Sequence, residues 1–243
     1  MLLSIIIPTF NEERALRPML RALQAGLSKY EYEVIVSDGG SKDATQAIAR
    51  EAGAKLLVRN GTEKHTIGWG RNRGAEAAQG TYLVFIDAGV EIPEPNKFFE
   101  RLIAHFDRDP KLAAVTVPLQ VFPKEATWAD DLFFTLADWT HWLNNNVWRL
   151  GSASGKFQMF RTEVFRRARG YREDLAVYED NEIFSRLARK FGRTFIDMKL
   201  VAYHGGRRAH ALGWPKLLWL WIANWFMATF FDRSANKDWE PIR

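Results

Sequence analysis

The sequence contains no cysteine. Disulfides and thiolate metal sites are therefore excluded, and any metal must be held by oxygen or imidazole ligands. It also lacks an apolar run long enough to cross a bilayer. The uncharged stretch LLWLWIANWFMATFF at 217–231 is bracketed by Lys216 and Asp232, short of the roughly 20 residues that a spanning helix needs. No Gly-x-Gly-x-x-Gly follows the first strand pattern, which opposes a dinucleotide-dependent enzyme. The basic residues form no single stripe and carry no nucleic-acid motif, so no nucleic-acid partner is expected. No internal repeat or low-complexity linker interrupts the chain. Met1 leads straight into a strand pattern rather than a signal peptide, so a cytoplasmic location is expected.

What is present suits one large α/β domain with a short appendage. The chain has 243 residues, 47% of them hydrophobic and 26% charged, ample for a core and not a disordered composition. The net charge of +5 favours anionic partners such as a nucleotide or an anionic membrane surface. The chain has ten tryptophans and seventeen phenylalanines, and eight of the tryptophans fall in the second half at 128–148 and 214–231.

The first half alternates strand and helix patterns, the signature of βαβ units. Strands are expected at 4–8, 33–37, 55–58, 82–86 and 112–119. Helices are expected after residue 13, with Leu16, Leu20 and Leu23 on one face, and at 44–52, 71–79 and 96–106. Pro18 is tolerable if it lies in a first turn, and 59–70 reads as a loop. The organising stretch is Thr81 to Pro93, TYLVFIDAGVEIP. Its apolar run reads as a strand buried on both faces. It ends on Asp87, where open α/β sheets bind ligands. Right-handed crossovers would bring Asp38 and Asp87 to one edge. Past Phe122 an aromatic helix is expected at 126–146, with Trp128, Leu132, Leu136, Trp139 and Leu143 at helical spacings. A short strand at 157–160, helices at 162–168 and from Glu179, short strands at 194–196 and 201–203, and an apolar helix at 215–231 follow.

These landmarks together resemble glycosyltransferase family 2, with its GT-A fold. Pro8-Thr9-Phe10-Asn11-Glu12-Glu13 is similar to the family's opening Pro-x-aromatic-Asn-Glu. Asp38-Gly39-Gly40-Ser41-Lys42-Asp43-Ala44-Thr45 is similar to its Asp-Gly-Ser-x-Asp-x-Thr. Arg71-Asn72-Arg73-Gly74 resembles the helix before the central strand, and Asp87-Ala88-Gly89 stands in the Asp-x-Asp place. Glu179-Asp180 with Arg186 resembles the Glu-Asp motif, and His204 falls where many members carry a late metal-binding histidine. The resemblance covers roughly 3–208. It implies a Rossmann-like, mostly parallel sheet flanked by helices, with a nucleotide-binding half at 1–120, an acceptor half at 121–208, and a C-terminal apolar helix and tail at 209–243.

By that resemblance the expected activity is inverting transfer from a nucleotide-sugar donor to a carbohydrate or lipid-linked acceptor. Asp180 is the expected base, with Glu179 beside it orienting the acceptor. Pro8, Thr9, Phe10, Asn11, Glu12, Asp38, Gly39, Arg71, Arg73, Asp87, Ala88, Gly89, Arg207 and Arg208 are the expected donor-binding residues. Asp38 would accept hydrogen bonds from the base or ribose, although a turn-capping role competes. A leaving diphosphate develops negative charge that something positive must meet. Mg²⁺ or Mn²⁺ on Asp87 and His204 is one answer. Arg207 and Arg208, which follow two glycines, are another. The sequence departs from the family at Gly89, where the second acid usually sits. That departure leaves metal dependence open and permits an alternative, a non-catalytic nucleotide-sugar-binding module. The aromatic segments match no motif. The helix at 217–231 suits peripheral contact with the inner face of a membrane, or a core or homodimer contact.

Overall fold

The computed structural model describes residues 2–59, 66–231 and 233–235. Residues 60–65 of the expected 59–70 loop, Asp232 and most of the C-terminal tail lie outside the described residues.

Strands β1 (Leu3–Thr9), β2 (Tyr32–Asp38), β3 (Lys55–Val58) and β4 (Tyr82–Ile86) run parallel, each followed by a helix. The helices are α1 (Glu13–Gly26), α2 (Thr45–Glu51), α3 (Ile67–Glu76) and α4 (Pro95–Arg108). Strands β5 (Leu112–Thr116), β7 (Phe157–Arg161) and β8 (Arg193–Ile196) complete a seven-stranded sheet of order β3-β2-β1-β4-β7-β5-β8. Only β7 runs antiparallel to its neighbours, β4 and β5. A second, two-stranded sheet joins β6 (Leu119–Val121) to β9 (Ala202–His204).

The central strands are buried on both faces, as their continuous apolar runs require. Ile5, Ile7, Val84 and Ile86 pack on one side with Leu16, Leu20, Phe98 and Leu102 of α1 and α4. Their alternate neighbours Ile6, Leu83 and Phe85 pack on the other with Ala75 of α3, Val164 and Phe165 of α6 (Thr162–Arg167), and Ile183 and Leu187 of α7 (Glu179–Lys190). The period of two along each strand thus feeds two cores at once.

Three local expectations are corrected, and one short helix is added. The strand expected at 112–119 is two strands in different sheets, because Pro118 has no N–H for a continuing ladder. Helix α3 starts at Ile67, not 71, because Thr66 caps it by accepting the Trp69 N–H at 3.3 Å. Pro18 falls in the second turn of α1, within the helix. Residues Arg207–Leu212 form a short helix, α8, before α9 (Trp214–Phe231).

The aromatic segment folds as α5 (Trp128–Trp142), continued by one wide turn at Leu143–Val147. Its N-terminus is a capping box between Thr127 and Asp130. The stripe of Trp128, Leu132, Leu136 and Trp139 faces outward, with Trp128 79% exposed. The buried side chains of α5 are Asp130 and Asp138. Asp130 accepts from Trp214 Nε1 at 3.1 Å and pairs with His210 at 2.8 Å. These polar ties, with Phe133 and Phe134 packed on Trp214, fix α8 and α9 to α5.

Candidate active site

The carboxyl ends of β1, β2 and β4 open into a cavity of about 2220 Å³ that continues between α5 and α7. That volume exceeds the ~300–1,000 Å³ typical of a single small ligand, so it has room for more than one.

One wall is made of two stitched loops. In-register pairing sets Thr9 beside Asp38. The Asn11 N–H donates to Ser41 Oγ at 2.7 Å, the Lys42 N–H to Asn11 Oδ1 at 2.6 Å, and the Glu12 N–H to Thr45 Oγ1 at 2.7 Å. Asp38 is 2% exposed. Its Oδ1 accepts from the N–H groups of Gly40 and Ser41 and from Gln46 Nε2, and its Oδ2 from the hydroxyls of Thr9 and Ser41. Five donors occupy the carboxylate, so it organises the turn, and Asp38 also lines the cavity.

The floor is an ionic cluster around Arg71, which is 1% exposed. Its Nη2 donates to Asp87 Oδ1 at 2.9 Å and to the Gly155 carbonyl at 2.8 Å, and its Nη1 to Glu179 Oε1 at 2.8 Å. The Tyr171 ring lies 5.3 Å from the guanidinium carbon. Burial raises the proton affinity of Glu179, and the neighbouring Asp180 charge adds to the rise against the pull of Arg71. Burial likewise raises Asp180, opposed by Arg71 and by N–H donors from Asn181 and Gly155. The two acids titrate as a pair, above the usual carboxylate range.

Opposite this floor stands His204, at the end of β9. Its Nδ1 donates to the Gly205 carbonyl at 2.8 Å, which leaves an Nε2 lone pair, buried and unpartnered among the described residues. Burial and the nearby Lys156 charge push its pKa down to about 3, so the ring is neutral. Arg207 reaches Glu12 Oε2 at 3.3 Å, and Arg208 lines the same cavity.

His204 is ready as a ligand for a divalent cation. Position 89 has φ 85°, a left-handed turn conformation that glycine adopts freely, and it offers no carboxylate. Asp87 is engaged by Arg71, and no three Asp, Glu or His side chains cluster to hold a metal among the described residues. The Asp87 N–H donates to the Lys156 carbonyl at 3.1 Å. This pairing extends the β4–β7 register in which Ile86 faces Phe157, so Lys156 lies directly across from Asp87. The Lys156 and Asp87 charges act on each other, so a doubly charged ion at Asp87 would be repelled by the Lys156 ammonium. The set does not fit a metal well.

Residues 4–169 match the family model described as Glycosyl transferase family 2. The chain belongs to glycosyl transferase family 2. The succinoglycan biosynthesis protein ExoA of Rhizobium meliloti (strain 1021) is 25% identical over 222 residues, 86% of this chain and 65% of that protein. The chain thus spans just under two thirds of that relative's length. Among solved structures, S. aureus TarS 1–349 in complex with UDP-GlcNAc superposes with a TM-score of 0.65 at 19% identity, covering 85% of this chain and 59% of that one. The mannosyltransferase PcManGT from Pyrobaculum calidifontis, in complex with GDP-Man and Mn²⁺, gives 0.63 at 20% identity over 86% and 59%. The fold is GT-A.

Of the residues expected from the family 2 resemblance, Pro8, Thr9, Phe10, Glu12, Asp38, Gly39, Arg71, Asp87, Ala88, Gly89, Glu179, Asp180, His204, Arg207 and Arg208 all line the one cavity. Asn11 and Arg73 are not in its wall. Asn11 takes a left-handed turn conformation, φ 52°, and ties the loops. Arg73 lies with its guanidinium 4.9 Å from the Trp69 ring. Arg71 lines the cavity but is buried, with its guanidinium tied to Asp87, Glu179 and the Gly155 carbonyl. Lys156 was missed. Its place depends on β7 entering the sheet beside β4, a pairing with no local sequence signal. His141 and Ser152, joined at 2.8 Å, and Asp138 also line the cavity and were likewise unmarked.

Proposed function

We propose that the chain is an inverting glycosyltransferase that moves a sugar from a nucleotide-sugar donor to a carbohydrate or lipid-linked acceptor. The observation that carries this reading is the convergence of Asp87, Glu179, Asp180 and His204 from separate segments on one cavity. The nucleotide would lie against the loops after β1 and β2. The diphosphate would lie between the end of β4 and the Arg207–Arg208 turn, and the acceptor between α5 and α7.

In the reaction, the acceptor oxygen forms a bond to the anomeric carbon as its proton passes to a carboxylate oxygen of Asp180. The bond from that carbon to the diphosphate oxygen breaks, and the nucleoside diphosphate leaves with the electron pair. Attack from the opposite face inverts the anomeric centre. Burial moves the proton affinity of Asp180 toward working pH, which suits a general base. Arg71 holds Glu179 beside it. Expected with Asp180→Asn is a ~10²–10⁴-fold fall in transfer with nucleotide binding intact. Transfer at the wild-type rate would sink the base assignment. A panel of UDP, GDP, CDP and dTDP should include one that raises the melting temperature, since a bound ligand well above its Kd adds a few kcal/mol.

A membrane-proximal acceptor accords with the outward apolar faces of α5 and α9. On α9, Trp219 is 70% exposed and Phe226 is exposed, and Trp221, Ile222 and Trp225 are exposed at the cavity's rim. Among the described residues no helix is long and apolar enough to cross a membrane. The α9 face would therefore lie in the headgroup layer, and a second copy of the chain is the rival occupant.

A further inference from the structure

The expected metal ligands leave a charge problem. The leaving diphosphate needs positive charge at the end of β4, and the residues there do not fit a divalent cation. The same position holds another cation. Lys156 immediately precedes β7 and is paired through its backbone with Asp87. Residues directly opposite in an antiparallel pair project their side chains to the same face, with Cβ atoms ~5 Å apart. Lys156 and Asp87 therefore rise from the sheet side by side, and both line the cavity with His204, Gly89, Arg207 and Arg208. Among the described residues no hydrogen bond to the Lys156 ammonium is found, and the charges that act on it are those of Asp87, Arg207, Arg208 and Glu12. Arg71, by contrast, has its guanidinium taken up by Asp87, Glu179 and Gly155.

We propose that Lys156, with Arg207 and Arg208, supplies the positive charge that receives the donor's diphosphate, so that donor binding and transfer need no divalent cation. This rests on the nucleotide-sugar reading above. An ammonium is a compact charge with three rotatable donors. It can follow the bridging oxygen as charge builds there, while the two arginines hold the outer oxygens. The orphaned Nε2 of His204 becomes an acceptor for one Lys156 proton rather than a metal ligand.

The test is calorimetric titration of UDP and GDP into the whole chain, in EDTA and in Mn²⁺, with sugar transfer measured in parallel. The wild type should bind one nucleotide in EDTA with a Kd within about threefold of that in Mn²⁺. Lys156→Met should weaken binding in EDTA by ~10- to 100-fold, the loss of one charge-assisted hydrogen bond. It should also gain a response to Mn²⁺ that the wild type lacks, since the competing ammonium is gone. Lys156→Arg should recover part of the affinity. Binding by the wild type in Mn²⁺ only would overturn the proposal and leave the glycosyltransferase reading standing. So would undiminished binding by a folded Lys156→Met protein. No nucleotide binding in either buffer would overturn both.

Discussion

Replacing Arg71 by methionine tests how the floor of the cavity is held. The guanidinium is almost wholly buried and makes three hydrogen bonds of 2.8–2.9 Å, two of them to carboxylates. Its two ionic arms differ. The Glu179 side chain is 8% exposed, whereas Asp87 is 28% exposed and partly screened by water. Breaking a buried pair by removing one partner costs about 3–5 kcal/mol, and the Asp87 arm adds at most about 1 kcal/mol. Arg71→Met should therefore lose about 3–5 kcal/mol of unfolding free energy, a fall in Tm on the order of 10 °C for a chain of this size. Burial pushes the Glu179 pKa up to about 8 even with Arg71 in place. Removing that cation raises it further, so the loss should grow as pH rises above about 8 and level off below it. Urea unfolding of Arg71→Met, Glu179→Gln and the double variant gives the coupling. About 2–4 kcal/mol is expected between Arg71 and Glu179, and under about 1 kcal/mol in the matching cycle with Asp87→Asn. A cost below about 1 kcal/mol for Arg71→Met, or equal coupling in both cycles, would refute the account of Arg71 as the tie beneath the Glu179–Asp180 pair.

Asp138 lies 7% exposed on α5, and its Oδ1 accepts only the Leu119 N–H, at 3.3 Å. Burial pushes its pKa up to about 7 from 3.8. Its folded value is the higher one, so stability is full below about pH 4 and is lost as pH rises through about 7, by roughly 4 kcal/mol at most. Asp138→Asn should be ~2–4 kcal/mol more stable than wild type at pH 8.5 and about equal at pH 4 in denaturant melts; an unchanged difference across that range would contradict this. A methyl group at Gly155 would stand 2.9 Å from Arg71 Nη2 and 3.0 Å from Asp180 Oδ2. Gly155→Ala should thus cut transfer at least ~10-fold while the chain still folds and binds nucleotide, and wild-type turnover would argue against the proposed place of Asp180. In liposome flotation, wild type should rise with anionic vesicles and the Trp219/Trp221/Trp225 triple alanine variant should not. If neither rises, and sedimentation shows a dimer that the variant loses, the α9 face belongs to a second chain.

The parallel half of the fold was legible because apolar runs, glycine turns and amphipathic helices carry local signals. Strands β1 to β4 sit within a residue or two of where their sequence places them. The gathering of Asp38, Asp87, Glu179, Asp180 and His204 was legible through motif order. What those groups do there was less so. Five internal donors to Asp38 and two carboxylates on Arg71 are properties of folded loops, and composition does not reveal them. The helical stripe on α5 was visible, but periodicity says only that one side is apolar, not that it faces the core. Here Asp130 and Asp138 took the inner side because Trp214, His210 and the Leu119 N–H offered partners.

Strand β7 has a consequence for how such a protein can be cut and recombined. All five residues of β4 pair in register with β7, which the chain reaches only after α5. A fragment stopped at residue 120 would bare the whole flank of its central strand, a template for aggregation. Chimeras that exchange acceptor preference between relatives should place their junction beyond Arg161, so that each graft travels with its sheet already closed.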